Sequence, residues 1–244
     1  MKILLFGERG QVGWELQRSL APLGEIVALN RDSQNYCGDL TNLKGLATTI
    51  RKVKPNIIVN AAAYTAVDEA EIEPELAQII NADAPAILGR EARLLGAWVI
   101  HYSTDYVFDG SGDTPWVETD ATRPLCVYGA TKLTGEQVLH NTGCRYLIFR
   151  TSWVYSAQGN NFTNTILRLA TEKENLTVVN DQIGAPTGAD LLADVTAHAI
   201  RNIQNKPELA GLYHLVAGGN TSWYGYAHFI IEHALEVGFK INML

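Results

Sequence analysis

The stretch Ile3-Leu4-Leu5-Phe6-Gly7-Glu8-Arg9-Gly10-Gln11-Val12-Gly13 decides how this chain is read. A short apolar run, Ile3–Phe6, meets a turn with three glycines, and the turn opens into a helical stretch, Val12–Leu20. Glycine serves three purposes in such a turn: one makes the tight bend, one lets the backbone approach a pyrophosphate, and one packs the helix close to the sheet. Phosphates at that place face the free N–H groups and the positive dipole end of the helix. The spacing is G-x-x-G-x-x-G and not G-x-G-x-x-G, so three glycines alone also fit a plain turn. Their position between a strand and a helix favours dinucleotide binding, with Gly7, Gly10, Gln11, Val12 and Gly13 as its residues.

Working outward, short apolar runs alternate with longer helical patterns. Further strands are expected at Ile26–Leu29, Ile57–Asn60, Trp98–Tyr102 and Tyr146–Arg150, with helices at Leu43–Val53, Ala77–Leu95 and Tyr128–His140. Continuous apolar strands separated by helices are the sequence form of an α/β fold, a Rossmann-type doubly wound parallel sheet covered on both faces. After Thr151 loops lengthen and Asn, Thr and Gly become frequent; one strand, Leu176–Val179, and two helices, Ala189–Ile203 and Trp223–Val237, remain readable. Residues 1–151 are accordingly expected to form the nucleotide-binding domain. Residues 152–244 are expected to form a smaller C-terminal, substrate-facing region.

The second strand ends at Asn30-Arg31, where an acid would accept ribose hydroxyls and an Arg can accept a 2′-phosphate. With no acid in the run, NADPH is favoured and NADH tolerated; Arg31 also fits a solvated surface charge. Asp39-Leu40 can approach the adenine, although Asp39 equally suits the start of the next helix. Small residues at Ala61, Ala62 and Ala63 let a flat cofactor lie close to the backbone.

The fourth strand runs into Ser103-Thr104-Asp105, and strand ends are where open parallel sheets bind ligands. Downstream, Tyr128 and Lys132 stand at i and i+4, on one helix face. Such a pair alone is usually structural. Beside a dinucleotide turn and a strand-end hydroxyl it suits proton transfer, because a neighbouring ammonium lowers a phenol's pKa towards the working range. Thr104 can hold a reacting carbonyl oxygen by a hydrogen bond.

These features resemble the extended short-chain dehydrogenase/reductase family, and most of all its branch acting on dTDP-linked 4-keto sugars. The closer match is carried by 60-NAAAYTAVD-68, 103-STDYVFDG-110, 128-YGATK-132, 150-RTSWVY-155 and 181-DQIGAPT-187. The resemblance implies reduction of the 4-keto group of dTDP-4-dehydro-β-L-rhamnose with NADPH or NADH, in nucleotide-sugar supply for cell-surface polysaccharide such as O-antigen. It implies Tyr128 as proton donor and Lys132 as holder of the nicotinamide ribose, with Thr104 polarising the carbonyl. Val67, Asp105 and Trp153 would contact the sugar, and Trp153 also suits a core aromatic. Ala63, Tyr64, Thr65 and Tyr102 match cofactor-contacting positions.

Relatives run longer at the C-terminus, so this chain reads as shortened there, which bears on substrate binding and dimerisation. A homodimer stays open as an option, as does Mg²⁺ between subunits through Glu15 and Asp190, although an isolated surface acid is the favoured reading of each. Two other readings stay open. One is a nucleotide-sugar epimerase or dehydratase, although Tyr106 follows Asp105 where a dehydratase carries a glutamate. The other is a non-catalytic regulatory homologue.

Bulk properties exclude several classes. The 244 residues carry a formal charge of -7 with a pI near 5.4, which argues against nucleic-acid binding. Three cysteines, Cys37, Cys126 and Cys144, have no paired spacing, and the six histidines form no ligand cluster, so neither a disulfide framework nor a metal site within the chain is expected. No apolar stretch approaches the roughly 20 residues that span a bilayer. A cytoplasmic protein without a membrane partner is the expectation.

Overall fold

A computed structural model describes residues 1–242. Among these, six strands form one parallel sheet in the order β2-β1-β3-β4-β5-β9. The strands are β1 (Lys2–Phe6), β2 (Glu25–Leu29), β3 (Ile57–Asn60), β4 (Trp98–Thr104), β5 (Arg145–Thr151) and β9 (Gly211–His214). Two two-stranded contacts lie outside it: β6 (Val154–Tyr155) pairs with β8 (Thr187–Gly188), and β7 (Ile183–Gly184) with β10 (Thr221–Ser222). The strand order reverses at β1, with β2 on one side and β3 on the other, so a crevice opens at the C-terminal ends of β1 and β3.

Both faces of the sheet are covered, which is why its strands read as unbroken apolar runs. One face packs Leu4, Phe6, Ile58, Val99 and Ile148 under α2 (Leu43–Val53), α5 (Ala84–Leu95) and α6 (Val127–Thr142). The other packs Ile3, Leu5, Val59, Ile100 and Phe149 under α1 (Gln11–Leu20) and α8 (Ala189–Ile203). A smaller cluster, Ile166, Tyr226 and Ile230, lies between α7 (Phe162–Glu172) and α9 (Trp223–Glu236). No described helix is long and apolar enough to cross a membrane.

The stretch after Thr151 is divided between two places. Its helix α8 and strand β9 complete the main sheet and one of its faces, and its remaining elements surround the smaller cluster. Leu176–Val179, expected as a strand, pairs with none; its Leu176 and Val178 pack into the small cluster, and the Val179 carbonyl accepts the Tyr224 N–H at 2.9 Å. The expected helix Ala77–Leu95 is broken into α4 (Pro74–Gln78), a π-turn at Ile79–Asp83 and α5, following the short α3 (Val67–Ile72). Helix α7 and strand β9 were not expected from the sequence pattern.

Candidate active site

Local geometry explains the glycines of the first turn. Gly7 has φ +87°, and a Cβ there would lie 2.8 Å from the Ala61–Ala62 backbone. A Cβ on Gly13 would lie 1.9 Å from the Gly7 carbonyl oxygen, so α1 can rest on the turn only with glycine at that place. Gly10 caps α1 without a side chain over the helix end, leaving its first N–H groups directed at the crevice. A cleft of about 180 Å³ is lined there by Gly7, Arg9, Gly10, Asn30, Arg31, Gly38, Asp39, Leu40, Thr41, Ala62, Ala63 and Ile80. The sequence-expected Gly7, Gly10, Asn30, Arg31, Asp39, Leu40, Ala62 and Ala63 thus come together, while Gly13 and Val12 serve the packing of α1 beneath.

The charges around this cleft differ from the simple picture of one free arginine. Arg31 pairs with Asp39 (4.0 Å), and Arg9, which sequence reasoning passed over, lines the cleft and pairs with Asp32 (3.6 Å). An acid also stands at the end of β2 after all, because the turn folds Glu8 over Asn30, whose side-chain amide donates to its carboxylate. Gln11 faces away from the cleft: its carbonyl oxygen accepts from Ser156 (3.1 Å) and Asn161 (2.8 Å) of the second region. The Tyr64 hydroxyl donates to Glu73 at 2.6 Å, Thr65 is exposed, and the buried Tyr102 hydroxyl is shared with Thr196 of α8 (2.6 Å).

At the end of β4 the backbone turns through a short 3-10 segment, Asp105–Val107. The hydroxyl of Thr104 accepts the Tyr106 N–H (3.2 Å) and donates to Asp105 (3.1 Å). Helix α6 starts against this segment. A Cβ on Gly129 would lie 2.2 Å from the Tyr106 carbonyl oxygen, and this close approach brings Tyr128 beside Thr104. The Tyr106 and Tyr128 rings meet edge to face with centroids 5.5 Å apart. Burial pushes the Tyr128 hydroxyl well above the ordinary tyrosine range; the Thr104 hydroxyl opposes the shift and Asp105 adds to it. Burial likewise raises Asp105.

Lys132, one turn along α6, is buried, and its amine donates to the Tyr102 carbonyl at 2.6 Å. Burial lowers it to about 8, with Glu136 opposing. The expected lowering of the Tyr128 pKa by Lys132 is therefore not what the geometry gives: burial dominates at both groups. Behind Lys132, Glu136 receives both Arg150 (2.9 and 2.7 Å) and Ser103 (2.5 Å).

In the stretch after Thr151, Trp153 has φ +47°, an unusual backbone conformation for a bulky residue. Its half-buried ring stacks on Trp223, with centroids 3.5 Å apart, beside the small cluster. Val67 begins α3, and α3 is tied to the start of α6 by the Val127 N–H donating to Glu71 (2.7 Å). Among the described residues no three His, Cys, Asp or Glu side chains gather as a metal site. Glu15 is engaged by Arg18 (3.3 Å), and Asp190 lies in the first turn of α8.

Residues 1–242 match the RmlD substrate binding domain family. The chain is 62% identical over 243 residues to a dTDP-4-dehydrorhamnose reductase of Shigella flexneri, covering all of this chain and 81% of that protein. It superposes on the crystal structure of a dTDP-4-dehydrorhamnose reductase from Clostridium acetobutylicum with a TM-score of 0.87 and 35% identity, over all of this chain and 83% of that one. The Bacillus anthracis reductase, solved in complex with NADP, gives the same values. With its nucleotide-type crevice, its Thr104–Tyr128–Lys132 grouping and this likeness along its whole described length, the chain belongs to the RmlD substrate binding domain family.

Proposed function

We propose that the chain reduces the 4-keto group of dTDP-4-dehydro-β-L-rhamnose to give dTDP-L-rhamnose. The observation that carries this reading is the convergence of Thr104 and Tyr128 at the end of β4, enforced by the backbone contact at Gly129, beside a crevice built for a dinucleotide. The residues present fit a nicotinamide dinucleotide: the Gly7–Gly13 cradle would be filled by any Cβ, and the N-terminus of α1 offers free N–H groups. When bound, that cofactor supplies the hydride. Arg9 and Arg31, flanking the cleft, support NADPH; Glu8, Asp32 and Asp39 beside them keep NADH acceptable.

The chain's own residues then manage a carbonyl oxygen that gains negative charge. The Thr104 hydroxyl turns its donor from Asp105 to that oxygen and fixes its position. Tyr128 stays protonated at neutral pH because burial raises it, so it yields its proton only as charge develops on the oxygen. Lys132 braces α6 against β4 through the Tyr102 carbonyl and presents its amine beneath the reacting site. Val67, Asp105 and Trp153 border the sugar.

The test is NADPH oxidation by the purified chain with dTDP-4-dehydrorhamnose. We expect turnover that Tyr128→Phe lowers by about 10²–10⁴-fold with cofactor affinity unchanged. Equal rates in the two proteins would defeat the assignment.

A further inference from the structure

The helix that carries Tyr128 and Lys132 is held at its start by a residue that the reaction scheme leaves unused. Tyr128 is the second residue of α6, in the turn where a helix leaves N–H groups without a partner of its own. Among the described residues, two side chains reach that turn as acceptors. The thiol of Cys126, the capping residue, accepts the Gly129 N–H at 3.4 Å, and sulfur is a weak acceptor. The Glu71 carboxylate of α3 accepts the Val127 N–H at 2.7 Å, the length of a charge-assisted bond. A negative charge there also meets the positive end of the helix dipole. The stronger of the two ties therefore comes from another helix, 56 residues away along the chain.

Both ends of that tie bear on a reaction at a sugar. Helix α3 opens at Val67, which borders the sugar in the reading above, and closes one residue after Glu71. Its Ala70, next to Glu71, is fully buried, which anchors the short helix beside the bond. At the other end, Tyr128 directly follows the residue whose N–H is held. Its ring meets Tyr106 edge to face, and Tyr106 belongs to the 3-10 segment that continues β4. We propose that Glu71 is a positioning residue, whose bond to Val127 sets the sugar wall on α3 against the proton donor on α6. A misplacement of about 1 Å between such parts can cost about a hundredfold in rate. The effect on turnover rests on the reductase reading; the effect on the placement of Tyr128 does not.

The experiment compares Glu71→Ala, Glu71→Gln and the double variant Glu71→Ala/Cys126→Ser with the wild-type chain. The readouts are turnover of dTDP-4-dehydrorhamnose, NADPH binding by fluorescence, thermal unfolding, and the NMR signal of the ¹³C-labelled Tyr128 ring, which the Tyr106 ring displaces. Glu71→Ala should lower kcat about tenfold, raise KM for the sugar nucleotide, move the Tyr128 signal and leave NADPH affinity unchanged. Glu71→Gln keeps an acceptor and should stay within about threefold of the wild type. Serine is among the strongest helix caps, so the double variant should regain the melting temperature that Glu71→Ala loses. Its kcat and its Tyr128 signal should stay displaced. Recovery of kcat together with the melting temperature would overturn the proposal, because Glu71 would then serve helix stability alone. A Tyr128 signal unmoved in a folded Glu71→Ala would overturn it too. If Glu71→Ala folds only with Cys126→Ser beside it, the double variant decides. A wild-type chain without turnover would defeat the reductase reading, and the Tyr128 signal would still decide whether Glu71 places the ring.

Discussion

At Gly13 one added carbon would stand 1.9 Å from a backbone oxygen, while at Trp153 the packing is ring against ring, 3.5 Å from Trp223. The cofactor turn is fixed by main chain against main chain, between β1, β3 and α1, and has no side chain that could move aside. The region around Trp153 is fixed by side chains: the indole stack, the small cluster between α7 and α9, and the Gln11 bonds to Ser156 and Asn161. Backbone packing holds one geometry for a constant ligand part. Side-chain packing can be retuned residue by residue, which suits the sugar-binding role proposed for Trp153.

This contrast can be broken or sharpened by substitution, beginning with the largest effect. Gly13→Val forces α1 off its turn and should cost about 3 kcal/mol with loss of NADPH binding, read by urea unfolding and cofactor fluorescence. Retained binding would show that the turn is softer than its contacts imply. Trp223→Ala removes the stacking partner of a half-buried indole and should cost about 2 kcal/mol, raising KM for the sugar nucleotide while NADPH affinity holds. A parallel loss of NADPH affinity would erase the distinction between the two regions.

A third test reads the sheet side through pH. Folded Lys132 lies near 8 against 10.5 in an open chain, so between those values the unfolded state keeps a proton that the folded state has lost. Stability should therefore rise with pH from about 8 towards 10, by roughly 1 kcal/mol per unit at most, and Lys132→Met should flatten that rise while Trp223→Ala keeps it. The smallest effect belongs to Gln11→Ala, which severs the bonds to Ser156 and Asn161. It should cost below about 1 kcal/mol yet hasten proteolytic cleavage in the 156–161 loop.

Much of the cofactor half was legible because its signals are local. The apolar runs of β1 to β5, the glycine spacing and the Tyr128–Lys132 interval each reflect contacts made within a few residues or with a generic covered sheet face. The charges at the ribose end are less legible: nothing in their spacing assigns Arg9 or Glu8 a role, and only folding sets one along the cleft and the other over Asn30.

By itself, the sequence determined the alternation of strands and helices, the place of the Gly7–Gly13 turn and the helix face shared by Tyr128 and Lys132, because 2.0- and 3.6-residue periods and glycine's φ freedom are properties of short segments. Only the tertiary structure decided that Gly211–His214 forms the sixth strand and that Leu176–Val179 forms none, because a strand exists only where another backbone stands ready to pair. The same holds for the charge states. Burial, which depends on everything folded around Tyr128 and Lys132, outweighs the neighbour effect that their spacing suggested.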